Sequence, residues 1–180
     1  MQSIMETIKN RRSIRRFEDR EIPEDLLNNL YTAVQWAPSW ANTQCWELVV
    51  VKDESIKKQL EECMAPKNPA TRVVGNAPVV IAVCAKNNQA GYYNGAVSTK
   101  YGDWFMYDLG IATQNLCLAA HDQGLATVIV GLFDHDKASE ILKVPDNYSL
   151  VTLIPVGFPA KDPSAPKRKP IEEIIHFEKF

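Results

Sequence analysis

A chain of 180 residues is one domain's worth of sequence, long enough to bury about 70% of its unfolded surface without a disulfide or metal staple. With 46% hydrophobic and 23% charged residues it has the make-up of a globular protein, which excludes disordered and fibrous classes. Twenty basic residues against twenty-two acidic ones exclude a protein devoted to wrapping nucleic acid.

Ser3-Ile-Met-Glu6 has the form of a capping box, with Ile4, Met5 and Ile8 on one face of a short helix that ends near Arg11. The basic run RRSIRRF (11–17) therefore stands where helix gives way to loop. Pro23, Glu24 and Asp25 open a second helix, with Leu26, Leu27, Leu30, Ala33 and Val34 at helical spacing and Pro38 as its stop. WELVVVK (46–52) is expected as a strand, ESIKKQLEECM (54–64) as a helix and APVVIAVCA (77–85) as a strand buried on both faces. A loop containing Gly91 and Gly95 follows. The longest helix is expected from about Tyr101 to Gln123, closed by Gly124. LATVIVG (125–131) is expected as a strand, Asp134 to Leu142 as a short helix and YSLVTLIPVGF (148–158) as the last strand. Five of the eleven prolines fall between Pro155 and Pro170, so the tail runs extended, and IEEIIHFEKF ends the chain with apolar, β-prone residues that call for a second surface.

The four cysteines, Cys45, Cys63, Cys84 and Cys117, show no paired short spacing and are expected as free thiols. MQSIMETIKN carries charge too early for a signal peptide, and no apolar run approaches the ~20 residues that span a bilayer, so the expectation is a cytoplasmic chain without a membrane partner. G-x-G-x-x-G, P-loop and G-x-S-x-G motifs are missing. His121, His135 and His176 form no ligand pattern, and Asp134-His135-Asp136 is better explained as a helix cap, so no metal site is expected. Two arginines and a serine hydroxyl at a helix-to-loop junction suit a phosphate monoester, with PKRKP (166–170) supplying charge from the far side, although both segments also read as solvated basic faces. Without aromatic residues among the tail lysines, nucleic acid is not an expected partner. WAPSWANTQCW (36–46) places three tryptophans in eleven residues around the amides Asn42 and Gln44, a corner suited to a planar heterocycle. Trp36 and Trp46 are read as core residues at element ends, and Trp40, in the loop, as a binding residue.

RRSIRRF, APSWANTQCWELVV, GLATVIVG and PVGFP followed by PKRKPIEEIIHFE, in that order and spacing, resemble the nitroreductase family of FMN-dependent flavoproteins. Alternating strands and helices alone would suggest a doubly wound parallel sheet. The resemblance implies instead an α+β fold with a mixed, largely antiparallel sheet flanked by helices. It further implies a homodimer with the flavin at the subunit interface: residues 1–160 form the FMN-binding domain, and 161–180 an extension that crosses to the partner's sheet.

Position by position, Arg11, Arg12 and Ser13 resemble the trio that holds the FMN phosphate and ribityl end. Arg15 matches a basic position beside the pyrimidine edge, where a fixed cation favours reduction. Pro38, Ser39, Trp40, Asn42 and Gln44 match the segment that packs on the partner's flavin. Val128, Ile129, Val130 and Gly131 match a strand end whose backbone approaches the ring, Gly131 permitting the approach. Lys167, Arg168 and Lys169 resemble the basic tail that meets the phosphate. Cys45 stands where the family commonly has proline. The implied activity passes electrons from NADH or NADPH through FMN to a small oxidised acceptor such as a nitroaromatic or quinone, with no side chain as catalytic acid or base. A flavin carrier or sensor without turnover is the alternative, as are dehalogenation and flavin fragmentation, chemistries of other family members.

Overall fold

Three helices in this protein begin on a residue, Ser3, Asp53 or Asp134, whose side chain accepts from a first-turn N–H. In the computed structural model, which describes residues 3–161 and 163–180, α1 (Ile4–Asn10) opens on a capping box: the Ser3 hydroxyl accepts from Glu6 N–H, and the Glu6 carboxylate accepts from Ser3 N–H. α2 (Glu24–Gln35) starts after Pro23 and buries Leu27, Leu30 and Val34. β1 (Trp46–Val51) leads to α3 (Glu54–Glu62), where the Asp53 carboxylate accepts from Ile56 N–H. α4 (Thr71–Asn76), β2 (Val79–Lys86) and a small hairpin of β3 (Tyr92–Tyr93) and β4 (Ala96–Val97) follow. α5 (Phe105–Asp122) is succeeded by β5 (Ala126–Thr127), by α6 (His135–Leu142), capped by Asp134, and by β6 (Tyr148–Gly157).

The main sheet has the order β1-β2-β6-β5 with every neighbouring pair antiparallel. β2 is buried almost throughout because helices cover both faces. Val79, Ile81, Val83 and Ala85 point to one core with α2 and α5, while Val80, Ala82 and Cys84 point to a second core with α3, α4 and α6. Val83 pairs with Thr152 and Cys84 with Leu150, so Val151 is an extra residue in β6. That bulge lets Leu150 and Leu153 face the same core. The fold is thus the α+β arrangement with a largely antiparallel sheet, not the doubly wound parallel one that alternation alone suggests. A strand buried on both faces does not reveal which way its neighbours run.

Other expectations shift for local reasons. The strand expected over 125–131 is regular only at Ala126–Thr127, with one further bridge, Val130 to Leu153. Val128 N–H donates to Pro155 O at 3.4 Å, and Pro155 has no N–H to return, so the ladder breaks there. The long helix starts at Phe105 rather than Tyr101, because Gly102 adopts a φ of 76° that helices exclude. Trp36, expected in the core, is 80% exposed at the end of α2, whereas Trp46 is half-buried against the first core. The described tail residues beyond Ala160 are exposed, with one 3-10 turn at Ile171–Glu173 and no strand. Ile171, Ile174, Ile175, Phe177 and Phe180 are all exposed there. Among the described residues no helix is long and apolar enough to cross a membrane, and no group of ligating side chains could hold a metal ion.

Candidate functional site

Arg11 caps α1, its N–H donating to Thr7 O, and the chain then turns to run beside the sheet. Ser13 bridges Thr127 in parallel, and Ile14 N–H donates to Thr127 O at 2.9 Å while its side chain is buried. Further on, Glu18 N–H donates to Phe158 O at 2.9 Å and Ala160 N–H to Arg16 O at 3.0 Å. Residues 11–18 are therefore clamped between β5 and the segment that leaves β6. Within this clamp the buried Ile14 and the half-buried Phe17 anchor RRSIRRF, and the arginines flank them.

Arg11, Arg12, Ser13 and Arg15 share one cavity of about 280 Å³ with Pro163, Ser164, Pro166 and Arg168 of the tail. The two basic ends of the sequence meet here. Of the three tail cations, Arg168 lines the cavity; Lys167 and Lys169 do not. Arg12 is divided in use, since its Nη1 donates to the carbonyls of Lys9 and Arg11 at the end of α1, while its Nε is buried without a partner among the described residues. Four arginines and two serines around so small a space, with no acidic residue among them, form a donor-rich set that suits a phosphate or another compact anion. An adjoining cavity of about 240 Å³ runs from Arg11 and Arg12 to Cys117 and His121 on the last turns of α5.

The segment Pro38–Gln44 is a preformed corner. Ala41, Asn42 and Gln44 have φ of 46°, 55° and 48°, three non-glycine residues in the left-handed region, where each costs about 1 kcal/mol. Trp40 N–H donates to both Asp108 oxygens, at 3.1 and 3.0 Å, and Gln44 N–H donates to Ser39 Oγ at 2.9 Å. Trp40 is half-buried against the first core, whereas Pro38 and Asn42 are exposed. Asp108 itself is 1% exposed, and burial pushes its carboxyl above the usual range, opposed by the Trp40 N–H. Cys45 lies behind the corner with Sγ 3.9 Å from Asp108 Oδ2; burial, and then the Asp108 charge, push its thiol up to about 12. A thiol so held is not a nucleophile at neutral pH.

Val128 and Val130 are buried, while Ile129 and Gly131 face outward, and a Cβ on Gly131 would meet nothing within 4 Å. Asn68 Nδ2 donates to Leu132 O at 2.8 Å and fixes the strand end beside the Lys67–Asn68 turn. That neighbourhood went unnoticed in the sequence, as did Asp108. The signal for Asp108 was an acid on the helix face that carries Leu109, Ala112 and Leu116 into the core.

One chain does not gather all of these residues. The Pro38–Gln44 corner is tied to Asp108 in the first turn of α5, and the arginine cavity adjoins His121 in its last turn. At 1.5 Å rise per residue the two lie about 20 Å apart along the helix.

Residues 8–73 and 65–158 match the nitroreductase family. A Methanothermobacter thermautotrophicus protein provisionally named NADH dehydrogenase/NAD(P)H nitroreductase is 31% identical over 98% of this chain and 87% of its own length. The iodotyrosine dehalogenase 1 homolog of Caenorhabditis elegans is 30% identical over 96% of this chain and 60% of its own. A Desulfovibrio desulfuricans chain, provisionally described as a nitroreductase and solved in complex with FMN, superposes with a TM-score of 0.80 at 27% identity, over 100% of this chain and 99% of that one. This chain belongs to the nitroreductase family of oxidoreductases.

Proposed function

We propose that this chain is an FMN-dependent oxidoreductase that takes electrons from NADH or NADPH and passes them to a small oxidised acceptor, a nitroaromatic or quinone, in a site completed by a second copy of itself. The observation that carries the reading is the cavity in which Arg11, Arg12, Ser13 and Arg15 meet Arg168. The donor set fits the phosphate of FMN, and the buried Arg12 Nε that lacks a protein partner is the kind of group an anion satisfies.

When bound, FMN supplies the hydride chemistry, which no side chain here could perform. Arg11, Arg12, Ser13 and Arg168 hold the phosphate end. Arg15 keeps a cation beside the ring. Ile129 and Gly131 offer an outward backbone edge along which a flat ring can lie. Pro38, Ser39, Trp40, Asn42 and Gln44 reach the ring from the partner, because about 20 Å of α5 separates them from the phosphate cavity of their own chain. The exposed apolar faces of α1 and of the tail support a homodimer: Ile4, Met5 and Ile8 on one side and residues 171–180 on the other have no covering element in a single chain.

Anaerobic mixing of the flavin-loaded protein with NADH or NADPH tests the reading. The expected result is loss of flavin absorbance within seconds, restored by a nitroaromatic or quinone. Flavin that stays oxidised with both nucleotides would identify a carrier and refute the oxidoreductase. The similarity to the nematode dehalogenase motivates a halogenated tyrosine as a second acceptor in the same experiment.

A further inference from the structure

Arg15 also forms part of the wall of a second cavity, about 900 Å³, on which Arg16, Lys67, Asn68, Arg72 and Lys161 converge. Five cations line it and no acidic residue does. In a chain with more acids than bases this is a segregation of charge, not an average surface. The cavity between Phe17–Ile22 and α3 shows the contrast: Glu18, Asp19, Glu21 and Glu54 balance Arg20, Lys52, Lys57 and Lys58. Among the described residues the ion pairs are Lys52 with Glu24, Lys58 with Glu61 and Lys137 with Glu62, and none involves the five. Like charges sharing one concavity raise its positive potential, and a Debye length of about 8 Å leaves much of that potential unscreened inside it.

Backbone contacts fix where these charges stand. The bond from Asn68 to Leu132 O sets Lys67 beside the end of the 128–131 segment, and Ala160 N–H donating to Arg16 O holds Lys161 against Arg16. On the reading above, which puts Arg15 beside the ring, this cleft opens next to the ring end of the flavin site, where the second substrate must approach. Nitroaromatic and quinone acceptors bring no phosphate there, but a nicotinamide dinucleotide does.

We propose that this cleft binds the phosphates of the electron donor and makes the protein selective for NADPH over NADH. The proposal rests on the oxidoreductase reading above. The phosphate on the adenosine ribose of NADPH adds about −1.5 to −2 charge, which arginine forks grip and NADH lacks.

The test measures anaerobic flavin reduction by each nucleotide in the FMN-loaded protein and in Arg16→Gln, Arg72→Gln and Lys161→Gln. These positions lie on the exposed surface, so stability and the FMN to protein ratio serve as controls. The expected result is an advantage of about tenfold or more for NADPH, as charge-assisted contacts give. That advantage shrinks at high salt and in each variant, while reduction by NADH changes much less. Adenosine 2′-monophosphate is expected to compete with NADPH better than its 5′ isomer. An equal response to both nucleotides in the wild type overturns the proposal while leaving the oxidoreductase intact. Variants that alter only the use of a carboxylate-bearing acceptor also overturn it and assign the cleft to the acceptor. Failure of both nucleotides to reduce the flavin would overturn this proposal and the reading beneath it together.

Discussion

Replacing Asp108 tests how the Pro38–Gln44 corner is held. Asp108→Asn keeps an oxygen near the acceptor position and removes the charge; Asp108→Ala removes both. Comparing the two variants removes the charge from both and reports the polar contacts of residue 108, chiefly the bond to Trp40, with the longer Cys45 contact at 3.9 Å a weaker second. A buried N–H left without an acceptor costs about 1–3 kcal/mol, so Ala is expected to be less stable than Asn by about 2 kcal/mol, or roughly 4–8 °C in Tm for a chain of this size. The charge shows itself through pH. Burial raises the Asp108 carboxyl above its ordinary 3.8, so below that pH it is protonated both folded and unfolded. As pH rises past 3.8 the unfolded chain releases the proton first, and stability falls until the folded group has ionised as well. The stability of Asn relative to the wild type should therefore rise from about pH 4 upward and level off once the folded carboxyl has ionised. Urea titrations of the three proteins at several pH values measure both effects. Equal stability of Ala and Asn would refute the claim that the Trp40 bond holds the corner.

Arg168→Ala is expected to erase most of the preference for FMN over riboflavin, by a few kcal/mol, measured by titrating both flavins into apoprotein. Gly157→Ala places a Cβ 2.7 Å from Phe17 Cγ and 2.8 Å from Phe17 Cβ, an overlap expected to cost about 1–3 kcal/mol in thermal unfolding and to loosen FMN by moving the neighbouring arginines. Truncation after Pro170 spares Arg168 and deletes the exposed apolar end; sedimentation should show a weakened dimer, and an unchanged one would show that the end does not join the subunits. Truncation after Pro159 removes Arg168 too, and dimer and flavin are expected to be lost together.

Much of this architecture was legible because local chemistry and tertiary burial agree. Ser3 with Glu6 and Asp134 before α6 are side-chain signals that need no neighbour, and β2 is an uninterrupted apolar run. The helix at Thr71–Asn76 escaped notice because Ala70 gives it no side-chain cap and its six residues are too few for a period. The break after Thr127 depends on Pro155 across the sheet, information that 125–131 does not contain. Trp36 misled because size and apolarity say nothing of which side of a helix end faces out. At the site, charge alone left RRSIRRF and PKRKP open between a shared anion site and two solvated faces, the family resemblance favoured the former, and neither chose Arg168, since an extended tail has no periodicity to orient side chains. Lys67 and Arg72 were ordinary surface cations until the fold set them beside Arg15 and Arg16.

The length of α5 has a genetic consequence under the two-chain site. A chain damaged at Arg11 and another damaged in the Pro38–Gln44 corner would each form a dimer with two broken sites. Mixed, they form a heterodimer in which one site inherits both lesions and the other neither. Two inactive proteins unfolded and refolded together are then expected to regain up to about a quarter of wild-type activity, one sound site in two across half of the dimers, at random pairing. Two lesions within the same half-site would regain nothing.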